Sequence, residues 1–424
     1  MTPKDSTNAW PEATTRVMGI GAKLDRRHRM TPMNDHENST APLEVRTAAT
    51  RRERRIFLSF PWRIYAGDPL WVPPMYAERK KTIDPRRGVF FRRGTAEMFI
   101  AWRGNRPLGT ICAAEDRTYN ARMATRECMF GFFECVDDPS VAAALLHRAA
   151  LWARERGLET LIGPFNLDIE DAYGILVEGR DRPPSLLCGH TPAYYLPFFE
   201  DSGFKPLRGD NIALEVDLDA SSPALERTAL LADRIRRNGW IRIRTPDMEH
   251  WMDEVDIVHH LLNASTTHLP DYRPWEREAV VNLLEPFKSL ADPDLILFVE
   301  VDGKTVGFFP ALADMNEVLI HLNGLRYPWD VARLLRWMRY KPRGLTIKTV
   351  LVLPEYWGSG AALLLIDEMA HRARAKGYRK IDLSLTSTDN PYTPELAGRM
   401  GARVYKTYRT YRKSVSEALG RDHP

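Results

Sequence analysis

A chain of 424 residues with 44% apolar side chains has the length for two or three domains and ample material for a core. With 60 Lys and Arg against 56 Asp and Glu the formal net charge is only +4, so no nucleic-acid partner is expected from charge. The four cysteines, Cys112, Cys128, Cys135 and Cys188, lack metal-ligand spacing, which predicts no metal and reduced thiols in a cytoplasmic protein. No apolar run reaches the ~18 residues of a membrane span, and the N-terminus lacks the apolar core of a secretion signal.

Residues 1–44 are rich in Thr, Pro, Asn, Asp and Arg without an apolar period, and are expected to be disordered. The basic run Arg51-Arg52-Glu53-Arg54-Arg55 then reads as a solvated helix face, or as a contact for anionic lipid or phosphate. Met98 to Ala114 predicts strand, turn, strand, and Met129 to Val136 a third strand. Val141 to Arg156 predicts a helix, Leu161 opens another strand, and Tyr194 to Phe204 a further helix. The second half repeats this order with Leu295–Val301, Thr305–Ala311 and Leu345–Leu353 as strands.

The stretch LTIKTVLVLPEYWGSGAALLLIDEMA, Leu345 to Ala370, is the most informative. Its strand runs into a turn containing Gly358 and Gly360 and then into a helix, so unpaired helix-start N–H groups face one point, which suits phosphate. Neither the nucleotide P-loop nor the three-glycine dinucleotide fingerprint is present.

Glu355-Tyr356-Trp357-Gly358-Ser359-Gly360-Ala361 resembles the acyl-CoA-binding segment of the GNAT acyltransferases, with Glu355 where that family prefers Gln or Arg. Trp71-Val72-Pro73-Pro74, Gly163-Pro164-Phe165-Asn166 and Pro192-Ala193-Tyr194-Tyr195 resemble signatures of bacterial tandem GNAT proteins. The resemblance implies an α/β fold of two GNAT-like domains in tandem, with mixed sheets flanked by helices. Its expected divisions are residues 1–44, 45–217, 218–415 and a tail 416–424. Asp137 and Asp138 stand where the first half would need its glycine turn, and two carboxylates repel phosphate. Only the second half is therefore expected to hold acyl-CoA, as co-substrate rather than permanent cofactor.

The resemblance further implies an N-acyltransferase acting on an amine. Bacterial ceramide synthases are GNAT-type proteins of similar size that acylate a sphingoid-base amine, and they supply the specific expectation. An aminoacyl-tRNA-dependent peptidyl transferase and an inactive acyl-CoA binder are the alternatives. Leu353, Glu355, Gly358, Ser359, Gly360, Ala361 and Asn390 are the expected cofactor contacts, with an oxyanion donor in the segment around Leu353.

His321, with a pKa suited to neutral pH, and Asp314 are candidates for the base. Many family members carry a tyrosine acid where this chain has Ala397, so Tyr392, Tyr405 or Tyr408 is considered in its place. Asn166, Glu170, His190, Tyr194 and Asn316 are the candidate acceptor contacts, being polar groups near strand ends. The segment Tyr327 to Gly344 places five cations among Leu334, Leu335 and Trp337, which suits peripheral contact of helix 331–343 with an anionic inner membrane. Its arginines equally suit the 3′-phosphate of CoA or a solvated face.

Overall fold

The computed structural model describes residues 41–167, 174–186, 188–219, 223–265, 267, 274–337, 339–347, 349–390 and 392–420. In chain order the first strands are β1 (Leu43–Thr47), β2 (Gly94–Arg103), β3 (Arg106–Asp116), β4 (Glu127–Cys135), β5 (Thr160–Gly163), β6 (Ile175–Glu178), β7 (Lys205–Pro206) and β8 (Asn211–Asp217). Those that follow are β9 (Ile241–Arg244), β10 (Ile296–Val301), β11 (Lys304–Ala313), β12 (Gly344–Ile347), β13 (Leu351–Val352), β14 (Lys380–Ser387), β15 (Arg403–Arg409) and β16 (Tyr411–Ser414).

They form two sheets, a seven-stranded one ordered β1-β2-β3-β4-β5-β16-β7 and a nine-stranded one ordered β6-β15-β8-β14-β12-β11-β10-β9, with β13 paired to β11. Both sheets are mixed, since β4–β5 and β12–β14 run parallel among antiparallel neighbours. Strands are exchanged between the halves: β6 and β8 come from the first half yet lie in the second sheet. The last strand, β16, returns to the first sheet between β5 and β7.

Alternation of apolar side chains explains the sheets, and helical spacing explains what covers them. The helix Pro139–Arg154 is capped by Asp138, whose side chain accepts from the Ser140 N–H, and it buries Val141, Leu145, Ala149 and Trp152 on the first sheet. Asp138 thus closes this helix start with its own carboxylate. The helix Ala361–Ala375 buries Leu364, Leu365, Met369 and Ala373 in the core of the second sheet. Each such large aliphatic side chain contributes roughly 1.5–3 kcal/mol by leaving water.

All four cysteines are buried, and none is in a disulfide. Among the described residues, no helix is long and apolar enough to cross a membrane, and no group of three or more His, Cys, Asp or Glu could hold a metal.

Candidate active site

The stretch expected as one continuous strand from Leu345 to Leu353 is broken. Gly344, Leu345 and Thr346 pair in parallel with Lys380, Ile381 and Asp382, and there the contact with β14 ends. After the break, Leu351 and Val352 pair only with Phe308 and Gly307 of β11. On the far side, β14 is bulged between Asp382 and Leu385, with Ser384 at φ 60°, and stays with β8 as far as Ser387. The two strands therefore splay apart, leaving one edge of β13 open.

Register decides which groups line that edge. The Leu353 N–H donates to the Val306 carbonyl at 2.9 Å, so Leu353 faces β11 and cannot serve as the oxyanion donor. Its neighbour Val352 points its N–H and C=O the other way, toward β14.

The glycine turn follows directly. Gly358 (φ 85°) and Gly360 (φ 95°) both occupy the left-handed region that glycine alone adopts without cost. Among the described residues nothing lies within 4 Å of a Cβ placed on Gly358, whereas a Cβ on Gly360 would lie 2.5 Å from Ile235 Cδ1. Gly360 caps the helix Ala361–Ala375, and Ser359 Oγ accepts from the Ala361 N–H at 3.2 Å. The remaining first-turn N–H groups have no partner within the helix. Glu355 is exposed beside this turn, and Asn390 lies in the turn after β14.

The first sheet has the same splay and fills it with its own chain. Beyond Met129, β4 leaves β5, and its free edge is occupied in turn. Phe130 O accepts from Phe165 N–H at 2.7 Å, and Phe132 N–H donates to Asn166 Oδ1 at 2.7 Å. Further along, Cys135 N–H donates to the Tyr195 hydroxyl at 2.8 Å and Cys135 O accepts from the Tyr194 hydroxyl at 2.9 Å. Asn166 and Tyr194, expected as acceptor contacts, thus serve this internal plug. Glu134 is half-buried beneath it, accepts from the Tyr195 hydroxyl, and is pushed up to about 7 by loss of solvent.

A second group of expected site residues laces the segment around 184–190 across the second sheet. Asp314 Oδ1 accepts from the Leu186 N–H at 3.1 Å, and Asn316 Nδ2 donates to the carbonyls of Pro184 and Ser185 at 3.0 and 2.8 Å. Tyr408, fully buried, donates its hydroxyl to Gly189 O at 2.8 Å and is not free to act as an acid. Tyr405 bonds Ser185 at 2.8 Å and also donates to Asp382. Burial, with Asp382 nearby, pushes Asp314 up to about 6.

His190 ends this segment. Its side chain is 6% exposed, and Nε2 lies 2.9 Å from Asp68 Oδ2. A carboxylate only accepts, so the ring proton sits on Nε2, and buried Nδ1 has no hydrogen-bond partner among the described residues. Desolvation lowers its pKa although Asp68 opposes the shift, which favours a neutral ring with an unused lone pair. Asp68 was not identified from the sequence, since 122 residues separate it from His190.

His321 takes a different position from that expected of a base. It is exposed and stacked on Trp337, with ring centroids 3.8 Å apart and planes at 7°. The three expected catalytic residues, His321, Asp314 and Tyr408, therefore do not converge. Ala397 is buried, so no side chain there can act as the family's acid. Glu170 lies outside the described residues.

A splayed parallel strand pair in each half, followed in the second half by a glycine-bearing helix start, defines a tandem acyltransferase of the GNAT class. The profile described as the acetyltransferase (GNAT) family matches residues 256–402. A protein of Caulobacter vibrioides (strain NA1000 / CB15N) named bacterial ceramide synthase is 30% identical over 389 residues, covering 89% of this chain and 99% of its own. Protein YghO of Escherichia coli (strain K12) is 28% identical over 386 residues, covering 88% and 95%. The chain belongs to the GNAT family and is an N-acyltransferase.

Solved structures agree on the fold. A tandem GNAT protein from the clavulanic acid biosynthesis pathway superposes with TM-score 0.50 at 12% identity, covering 88% of this chain and 99% of that one. A GCN5-related N-acetyltransferase from Sphaerobacter thermophilus gives 0.51 at 15% identity, covering 89% and 97%.

Proposed function

We propose that the second half binds acyl-CoA and that the chain transfers a long acyl group to the amine of a sphingoid base. The contrast between the two splays carries the cofactor half of this reading, since one is plugged by Phe165, Asn166, Tyr194 and Tyr195, whereas in the other the Val352 N–H faces the gap and the Val352 carbonyl meets the partly exposed Trp357 indole. In this reading the diphosphate meets the amides of the Gly358–Ala361 turn, the pantetheine arm runs along β13, and Val352 N–H meets the developing oxyanion. The substrate half rests on similarity to the named ceramide synthase across 99% of that protein's length.

The residues supply what the reaction demands of them. An amine with a pKa near that of lysine, ~10.4, arrives protonated and must lose a proton to become a nucleophile. His190 Nδ1, held neutral by burial and aimed by Asp68, accepts it directly or through water. The thiolate leaves without a dedicated acid, which accommodates Ala397. Exposed Trp329, Val331 and Leu335 beside Arg333 and Arg336 on the helix Asp330–Trp337 support peripheral contact with an anionic membrane, where such an acceptor resides.

The test is incubation of purified protein with palmitoyl-CoA and a sphingoid base, following N-acyl product by mass spectrometry and free thiol by colour. Product from the wild type and none from Gly358→Glu supports the reading. Acyl-CoA binding without product with any long-chain amine refutes the transfer assigned here.

A further inference from the structure

A cavity of about 800 Å³ opens on the side of the molecule where the two halves meet, away from the glycine turn in sequence and built by different elements. Cations reach it from three segments: Arg51, Arg54 and Arg55 of the helix Arg51–Ser59, Lys80 of the helix Tyr76–Thr82, and Arg326 of the second half. Asp84 is the one carboxylate lining it. Leu58 and Ile83, both buried, form an apolar floor, flanked by Tyr76 and Tyr327.

Five cations against the single carboxylate of Asp84 leave the cavity with an excess of positive charge. Glu53 is the only acid on the first helix, and it is spent on the cap, accepting from the Thr50 N–H and hydroxyl at 2.8 Å each. Among the described residues, none of the five lining cations forms an ion pair with a carboxylate. Arg326 is held by its faces, 5.3 Å from the Trp62 ring and 5.1 Å from Tyr327, which leaves its N–H edge available. Like charges converging on one concavity raise its free energy unless an anion joins them. The volume matches the roughly 300–1,000 Å³ of pockets for organic ligands and is too large for inorganic phosphate alone.

We infer that this cavity is a second ligand site, which takes the phosphate head of an amphiphile, its phosphate among Arg51, Arg54, Arg55, Lys80 and Arg326 and its first carbons on Leu58 and Ile83. Exposed Trp329 stacks on the lining residue Tyr327 at 4.7 Å between ring centroids, which gives the chain of an amphiphile an apolar surface at the edge of the cationic mouth. The site does not depend on acyl transfer, and its ligand is distinct from acyl-CoA at the glycine turn.

Binding of dihexanoyl phosphatidic acid, used as a dispersed monomer so that adsorption to vesicles plays no part, is measured by calorimetry on the full chain. Glycerol 1-phosphate and inorganic phosphate are run alongside. The expected result is affinity for the lipid that falls at least about tenfold in Arg55→Ala/Lys80→Ala, with Arg52→Ala, on the same helix but outside the cavity, like the wild type. Equal loss in Arg52→Ala, or none in the double variant at unchanged melting temperature, overturns the site.

Glycerol 1-phosphate binding as tightly as the lipid overturns the amphiphile and supports a soluble phosphate ester. Gly358→Glu separates this site from the cofactor reading. Retained lipid binding with lost acyl-CoA binding supports two sites, and loss of both overturns the second.

Discussion

The indole Nε1 of Trp357 donates to the main-chain carbonyl of Val352 at 2.9 Å, folding a residue of the turn back onto the open edge of β13. That carbonyl is one of the two Val352 groups that a pantetheine arm would need. Acyl-CoA binding is therefore expected to release the indole, which is 45% exposed, and to shift its emission. With 11 tryptophans present, the measurement is the difference between wild type and Trp357→Phe on titration with palmitoyl-CoA. An emission change of equal size in both places the arm elsewhere.

His190 and Asp68 give a pH signature. His190 is expected to stay neutral to lower pH than an ordinary histidine, because burial lowers its pKa. The acid limb of kcat should accordingly fall below the usual ~6.5. Asp68→Asn removes a carboxylate that raises this pKa, so the limb should move further down while kcat drops about 10²-fold from lost orientation. His190→Gln should remove the limb altogether, with KM for acyl-CoA unchanged.

Asp314 is an anchor, and its titration shows as stability. Its pKa is raised from 3.8 to about 6, so the neutral form favours the fold. The stabilisation is complete below about pH 4 and is lost as pH rises through 6. Asp314→Asn keeps an Oδ1 to accept from Leu186 and Asn316 and has no charge to bury. Chemical denaturation should show it more stable than wild type by about 3 kcal/mol at pH 8 and close to it near pH 4. Activity within threefold of wild type at pH 8 would confirm that Asp314 is not the base.

The glycine turn separates strain from binding. Gly358→Ala meets open space and should cost only the ~1 kcal/mol of a left-handed backbone, while weakening acyl-CoA binding by crowding the diphosphate. Gly360→Ala adds a clash with Ile235 to the same strain, so its loss of melting temperature should be the larger.

The plug yields the last expectation. Asn166→Ala leaves the Phe132 N–H without its 2.7 Å partner and should cost about 1–3 kcal/mol. It should not create a second acyl-CoA site, because Phe165 and the two phenols still hold the rest of the edge. Binding stoichiometry checks this.

The elements set by local pattern were legible in the sequence. Leu345, Leu364 and Met369 announce a strand and a helix by spacing, and Gly358 and Gly360 announce the turn between them. What escaped was whatever depends on partners distant in the chain. Nothing near Ser185 shows that Asp314, Asn316 and Tyr408 will spend their polar groups on its segment. Nothing near Asp68 shows that it will orient His190. His321 stood out for its ordinary pKa, and nothing near it in the chain shows that Trp337 supplies a ring for it to stack on at the surface. The break after Ile347 was hidden too, because Thr349 and Val350 continue the β-forming composition of the strand.

The exchange of β6, β8 and β16 bears on how the molecule can be dissected. Dividing the chain between residues 217 and 218 would yield one product lacking the Tyr411–Ser414 ribbon between β5 and β7 and another lacking one outer ribbon, β6, and one inner ribbon, β8. Neither fragment owns a complete set of hydrogen-bonded neighbours. The pair is interlocked in the manner of clasped hands, so neither piece expressed by itself is expected to fold.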